Sequence, residues 1–200
     1  MESKSTSIIV LSGGTSARFG SDKSRALIDG QTLIARILTS IPTEFEIIVV
    51  GPDPVVQGAR YVCVQEYPLG GGPVAGFKAG LDICTSEIIA LTATDMPFAI
   101  GQIINLLDSM TSHYDAVMYV DPAGFKQPLA AVYRVDAVKK ALIEIGEVHG
   151  QSMRNLVSQL RVREIPMSNK DAQAFIDIDT QADLDRAIAF SKSLGDNSGL

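Results

Sequence analysis

In the stretch Ile8-Ile9-Val10-Leu11-Ser12-Gly13-Gly14-Thr15-Ser16-Ala17-Arg18-Phe19-Gly20-Ser21-Asp22-Lys23, an apolar β-branched run breaks into a long loop. The loop carries two adjacent glycines, a third at Gly20, and the cations Arg18 and Lys23. Such a loop suits an anion: Gly13 and Gly14 have no Cβ to hold a ligand away from the backbone N–H groups, and Arg18 and Lys23 can reach different oxygens of one polyphosphate. Known phosphate loops fit poorly. A P-loop needs Gly-Lys-Ser/Thr in sequence, whereas Ser21 and Asp22 separate Gly20 from Lys23, and no Gly-x-Gly-x-x-Gly follows the strand.

Working outward, further strand-like runs occur at Ile47–Val50, Tyr61–Val64, Ile88–Leu91, Ala116–Val120, Leu129–Tyr133, Val162–Ile165 and Phe175–Ile178. Helical periodicity falls mostly between them: 32–40 stopped by Pro42, 74–83, 100–110, 135–145, 152–160, and a closing helix over 180–194 with Thr180 as its N-cap. This alternation predicts an α/β fold with a mostly parallel wound sheet. Asp121-Pro-Ala-Gly124 interrupts an apolar run and predicts a hairpin-like excursion. No linker or internal repeat divides the chain, so one domain over 1–200 is expected, with 1–6 and 195–200 frayed.

A composition of 46% hydrophobic and 20% charged residues is globular, and a net charge of −6 argues against sequence-independent nucleic-acid binding. Neither a signal-peptide core nor a membrane-length apolar run is present, which places the chain in the cytoplasm. Cys63 and Cys84, in apolar surroundings without C-x-x-C spacing, read as buried thiols.

Ligands of wound parallel sheets collect where strand carboxyl ends meet their loops. Those loops hold Gly13-Gly14, then Glu66 and Gly70-Gly-Gly-Pro73-Val-Ala-Gly76, then Thr92-Ala-Thr-Asp95-Met-Pro97. Asp95, on a turn stiffened by Pro97, can ligate Mg²⁺, a hard cation that takes one or two carboxylates and fills its shell with water and phosphate oxygens; the alternative is that it caps the helix near Ile100. A second carboxylate is available in Asp177-Ile178-Asp179, where strand alternation sets Asp177 and Asp179 on one side and Ile178 on the other. Asp179 also suits a helix cap, and spacing alone does not bring it to Asp95. The 70–76 segment either wraps a base or ribose or permits a sharp crossover. His113 and His149 lie away from the glycine loops in sequence and offer no general base; a Gly-x-Ser-x-Gly elbow is also missing.

Taken in order, Leu11-Ser-Gly-Gly14, Arg18-Phe-Gly20, Asp22-Lys23, Gly71-Gly-Pro-Val-Ala-Gly76, Asp95-Met-Pro97, Gln127-Pro128 and Asp177-Ile-Asp-Thr-Gln-Ala-Asp-Leu184 resemble the molybdenum cofactor guanylyltransferases, across about Ile8 to Ala189. The resemblance implies a three-layer α/β/α, Rossmann-like fold of the nucleotidyltransferase type. It also implies transfer of GMP from GTP to the phosphate of Mo-molybdopterin with release of pyrophosphate, Mg²⁺ as cofactor, and exchange of the pterin with delivery and acceptor proteins. By position, Leu11, Ser12, Gly13 and Gly14 hold the nucleotide with Pro73 and Gly76, Glu66 lies near the guanine or ribose, Arg18 and Lys23 bind phosphates, and Asp95 with Asp179 binds the metal. Gln127, where a His is frequent, and Arg154 fall to the acceptor side. The family's Asn after the second strand is Gly51-Pro52 here, so that contact is not carried over. Gly13-Gly14 with Pro73–Gly76 favours guanine over the related cytidylyltransferases. Rival readings are another phosphorylated acceptor such as a sugar 1-phosphate, a CTP-dependent enzyme, and a non-catalytic nucleotide-binding protein.

Overall fold

A computed structural model describes residues 6–13 and 26–196. Strand β1 (Thr6–Leu11) lies in a seven-stranded sheet of order β5-β4-β1-β6-β8-β7-β9, flanked in parallel by β4 (Glu46–Val50) and β6 (Ile88–Ala93). β5 (Val62–Val64) extends the parallel half beyond β4, while β7 (Ala116–Val120) and β9 (Val162–Pro166) pair in parallel on the far side. Among the described strands of this sheet, β8 (Lys126–Arg134) alone runs antiparallel, to β6 and β7. The β7–β8 excursion is a hairpin: the Asp121 carboxylate accepts from Ala123 N (2.9 Å) and Phe125 N (2.8 Å), which folds the chain back. No described helix is long and apolar enough to cross a membrane.

The central strands are apolar on both faces because helices cover both. Successive side chains alternate, so Ile8, Val10, Ile47, Val49, Ile88 and Ala90 meet Ile37 and Leu38 of α1 (Leu33–Ser40) and Ile100 and Ile103 of α3 (Ile100–Asn105). Ile9, Ile48, Val50, Ile89 and Leu91 face Val74, Phe77 and Leu81 of α2 (Pro73–Ile83), Val138 and Leu142 of α4 (Val135–Ile145), and Leu156 and Val157 of α5 (Met153–Ser158). These are the three layers expected. Local signals set the helix starts: the Thr32 hydroxyl accepts from Ala35 N (3.3 Å), Pro73 opens α2, and the Ser152 hydroxyl accepts from Asn155 N (3.2 Å).

Several expectations are corrected. A small hairpin not expected from periodicity, β2 (Leu27–Ile28) with β3 (Gln31–Thr32), turns on Asp29-Gly30, both with positive φ, a dipeptide that is a strong hairpin signal. Helix α3 ends at Asn105 and tightens into a 3₁₀ turn over Leu106–Ser109. The strand expected at Phe175–Ile178 does not form. A short helix, α6 (Asn169–Ala172), and a 3₁₀ turn (Gln173–Phe175) precede it, and Ile178 N donates to Asp95 O (3.0 Å) instead of to a strand. Its apolar periodicity is satisfied elsewhere: Ile178 is buried with Ala26, Ile28 and Leu33 and with Leu184 and Ala187 of α7 (Gln181–Asp196). Cys84 is buried as expected, but Cys63 is exposed because β5 is a sheet edge; both thiols are free.

Beneath β7 and β9, Arg161 Nε and Nη2 donate to the two carboxylate oxygens of Asp115 (2.9 and 2.8 Å), and Arg161 N donates as well (2.9 Å). The Arg161 side-chain bond first, then its backbone N–H and the charges of Arg161 and Arg134, hold the Asp115 carboxyl below the usual carboxylate range against the opposing effect of burial. A depressed folded-state pKa contributes stability that is present above the unfolded carboxyl pKa, about 3.9, and is lost as pH falls through the folded value. Thermal unfolding of Asp115→Asn should therefore begin below wild type at pH 7, the gap closing as pH drops below about 4; a gap that persists unchanged at pH 3 contradicts this pairing.

Candidate active site

The ends of four parallel strands are tied together at one edge. Ser12 N donates to Val50 O (2.7 Å), Thr94 N to Leu11 O (3.1 Å), and Gly51 N to Val64 O (2.9 Å). The described segments that leave these ends therefore start from one edge of the sheet, where ligands of a wound sheet collect. Gly13 is exposed there, and a Cβ built on it would lie 3.9 Å from Glu66 Oε1, so the Glu66 carboxylate faces the start of the glycine loop. Glu66 Oε1 also accepts from Gly70 N (3.2 Å), which folds the second glycine loop over it. Leu11, Ser12, Gly13 and Glu66 thus share one corner. Gly14, Arg18 and Lys23 lie outside the described residues.

Asp95, Asp177 and Asp179 each offer a carboxylate oxygen, and these oxygens all lie within 4.8 Å of one another. Three carboxylates this close repel one another, a repulsion that a bound cation relieves. The donors are all hard oxygens, and opposite ligands of an octahedral Mg²⁺ stand about 4.2 Å apart, so the group fits that ion with small movements. The local chain explains the meeting. Met96 N bonds Ala93 O (3.2 Å) and Pro97 is buried, so Asp95 leaves β6 on a tight turn; Ile178, buried and bonded to Asp95 O, turns both neighbouring carboxylates toward it.

The competing cap roles are taken by other groups. Ala99 is the N-cap of α3 and makes no side-chain cap bond, so Asp95 does not cap that helix. At α7 the cap is Thr180, as expected: Asp183 N donates to the Thr180 hydroxyl (3.2 Å), while Asp183 Oδ2 accepts from Thr180 N (2.8 Å) and Asp179 N (3.2 Å) in a capping box. The Thr180 hydroxyl, followed by these N–H groups and Arg186, holds the Asp183 carboxyl below its usual range despite desolvation. A carboxylate oxygen of Asp179 lies within 4.8 Å of one of Asp95.

Beside the acidic group opens a cavity of about 470 Å³, lined among others by Asp177, Pro73, Met96, Gln127, Gln151 and Met153. Its apolar floor with two side-chain amides suits a flat heterocycle with hydrogen-bonding edges. Gln127 Nε2 also donates to Asp121 Oδ2 (3.2 Å), anchoring that wall to the hairpin turn. Arg154 is not brought to Gln127: it lines a separate cavity of about 480 Å³ with Phe125 and Lys126, across Pro128. Gly76 is buried in α2, where a Cβ would stand in ordinary contact with Leu11 Cδ2 (3.5 Å) and Val50 Cγ1 (3.7 Å).

The contribution of residues 149–153 was not foreseen. Gly150 N donates to Gly71 O (2.9 Å), so His149, exposed, stands next to the second glycine loop after all, and Gln151, Ser152 and Met153 enter the cavity wall. The signal available was the Gly150-Gln-Ser152 turn and N-cap, which marks a loop but not its neighbour.

The family model described as the MobA-like NTP transferase domain matches residues 8–164. A Bacillus cereus protein named "Probable molybdenum cofactor guanylyltransferase" is 32% identical over 183 residues, which are 86% of this chain and 90% of that protein. Among solved structures, molybdopterin-guanine dinucleotide biosynthesis protein A from Archaeoglobus fulgidus superposes with a TM-score of 0.74 at 22% identity, over 94% of this chain and 99% of its own. The 2-C-methyl-D-erythritol 4-phosphate cytidylyltransferase of Thermus thermophilus shares the fold at a TM-score of 0.61 and 14% identity, covering 94% and 99%, so the fold alone does not choose the base. On the strength of the match to the domain model and of the identity to its relatives, the chain belongs to the MobA-like NTP transferase family of nucleotidyltransferases.

Proposed function

We propose that this protein transfers the GMP moiety of GTP to the phosphate of Mo-molybdopterin, giving the guanine dinucleotide form of the cofactor and pyrophosphate, with Mg²⁺ at Asp95 and Asp179. The observation that carries this reading is the gathering of Asp95, Asp177 and Asp179 between the start of the glycine loop and a cavity of heterocycle size. The names of the similar proteins support the choice of acceptor.

In the reaction an oxygen of the acceptor phosphate forms a bond to the α-phosphorus while the bond from that phosphorus to the bridging oxygen of pyrophosphate breaks. The attacking group is already anionic, so no side-chain nucleophile or general base is needed, and the protein's task is in-line positioning and charge neutralisation. Bound Mg²⁺ supplies Lewis-acid neutralisation of the phosphate oxygens. The carboxylates of Asp95 and Asp179 hold it, Arg18 and Lys23 bind the phosphates that depart as pyrophosphate, and the backbone of Ser12, Gly13 and Gly14 carries the nucleotide. Glu66 faces that loop as an acceptor for the two adjacent N–H donors on the guanine edge, a pattern cytosine does not present. Gln127 bounds the acceptor side of the crevice, in the same cavity wall as Pro73 of the nucleotide side, at the first turn of α2.

Turnover with GTP, CTP or UTP, Mg²⁺ and Mo-molybdopterin tests the reading. Pyrophosphate release should require GTP and the pterin together. Activity with CTP alone overturns the guanine assignment, and release independent of the pterin overturns the acceptor.

A further inference from the structure

The loop that begins at Ser12 rests on a residue that touches no substrate in this scheme. Gly51 follows β4 and is buried. It is held from two sides: its N–H donates to Val64 O (2.9 Å), and its carbonyl accepts from Cys63 Sγ (3.3 Å). Its φ is +134°, a conformation that L side chains rarely adopt. A Cβ there would lie 2.9 Å from Ser12 C and 3.1 Å from both Ser12 O and Gly13 N. All three are backbone atoms, so no rotamer change relieves the contact.

We propose that Gly51 is a positioning residue for the nucleotide: its bare Cα is the seat on which the Ser12–Gly13 peptide lies, and it fixes the separation between that peptide and Glu66. This rests on the assignment of Ser12 and Gly13 to nucleotide binding. Val50 O accepts from Ser12 N immediately before the seat, so the end of β4 both grips and supports the loop. On the open side, the nearest atoms to a Cβ on Gly13 are Glu66 Oε1 and Gly51 Cα, both at 3.9 Å. Lifting the peptide by the few tenths of an ångström that a methyl group demands moves its N–H and C=O groups relative to the Glu66 carboxylate, and hence spoils both halves of a base-binding corner at once. Near-attack geometry is sensitive to displacements of this size.

The test compares Gly51→Ala with Gly80→Ala, whose Cβ would fall 2.8 Å from the Ile9 side chain within the α2–sheet interface. Gly51→Ala should raise the KM for GTP at least tenfold and leave the KM for the pterin acceptor within twofold. Gly80→Ala should lower Tm and leave both KM values within twofold. A folded Gly51→Ala enzyme with unchanged KM for GTP overturns the proposal, as does an equal rise in Gly80→Ala. Amide exchange in the wild-type protein without ligand serves if Gly51→Ala does not fold. The Ser12 amide should exchange as slowly as that of Val10, and exchange at the unprotected rate, slowed only by GTP, contradicts a preformed seat. A wild-type protein that binds no GTP instead removes the functional reading itself, and the role of Gly51 with it.

Discussion

Asp95→Asn should reduce Mg²⁺-dependent pyrophosphate release on the order of 10³-fold while the circular dichroism spectrum stays that of wild type. The substitution is isosteric, the N-cap of α3 is Ala99, and the turn at Met96-Pro97 is closed by the backbone bond from Met96 N to Ala93 O. What is lost is one of three carboxylates within 4.8 Å. Without metal, removing one like charge from such a group relieves repulsion, so the Tm of the variant should equal or exceed that of wild type. Added Mg²⁺ should then raise the Tm of wild type and leave the variant unmoved, since a ligand stabilises only the state that binds it. Near-normal, Mg²⁺-dependent turnover by Asp95→Asn would remove the metal from this group.

The largest effect on stability is expected for Phe77→Ala. Phe77 lies on α2 and is fully buried, with its ring centroid 5.1 Å from that of Tyr133 at an interplanar angle of 56°. Tyr133 is itself fixed, its hydroxyl donating to Pro128 O (2.6 Å), and burial pushes its phenol pKa well up, so it stays neutral. The neighbouring ring cannot collapse into the gap without giving up that bond. Loss of a buried phenylalanine costs about 3–5 kcal/mol, a large share of a typical total of about 5–15 kcal/mol. Urea unfolding should show the loss as a lower midpoint at constant slope. A loss under about 1 kcal/mol would mean that the helix–sheet interface closes over the gap, contrary to the packing described.

The sheet was legible because its strands carry their own evidence: Ile8–Leu11, Ile47–Val50 and Ile88–Leu91 are unbroken β-branched runs that need cover on both faces. The place of Asp95 was legible for a related reason, as a charge where such a run ends. Asp177-Ile178-Asp179 was half legible. The alternation gave the correct division of sides, because burial of Ile178 enforces it, but the same alternation suggested a strand that no neighbour supports. What sequence could not supply is contact between distant loops. Gly150 meeting Gly71 has no local signature, and Gly51-Pro52 reads as an ordinary turn until the Ser12 backbone is laid against it.

Ile178 also imposes an order of events during synthesis. It is buried against Ala26 and Ile28, which follow directly on the Lys23 loop, and its backbone closes on Asp95 O. A nascent chain that has emerged only as far as β9 can pair β1 with its neighbours, since all those strands are already present. It still has neither Asp177 nor Asp179, and the hairpin beyond Lys23 still lacks its apolar cover. The ribosome thus releases the parallel half of the sheet, with Asp95, well before it releases the two carboxylates that gather beside Asp95 in the finished fold.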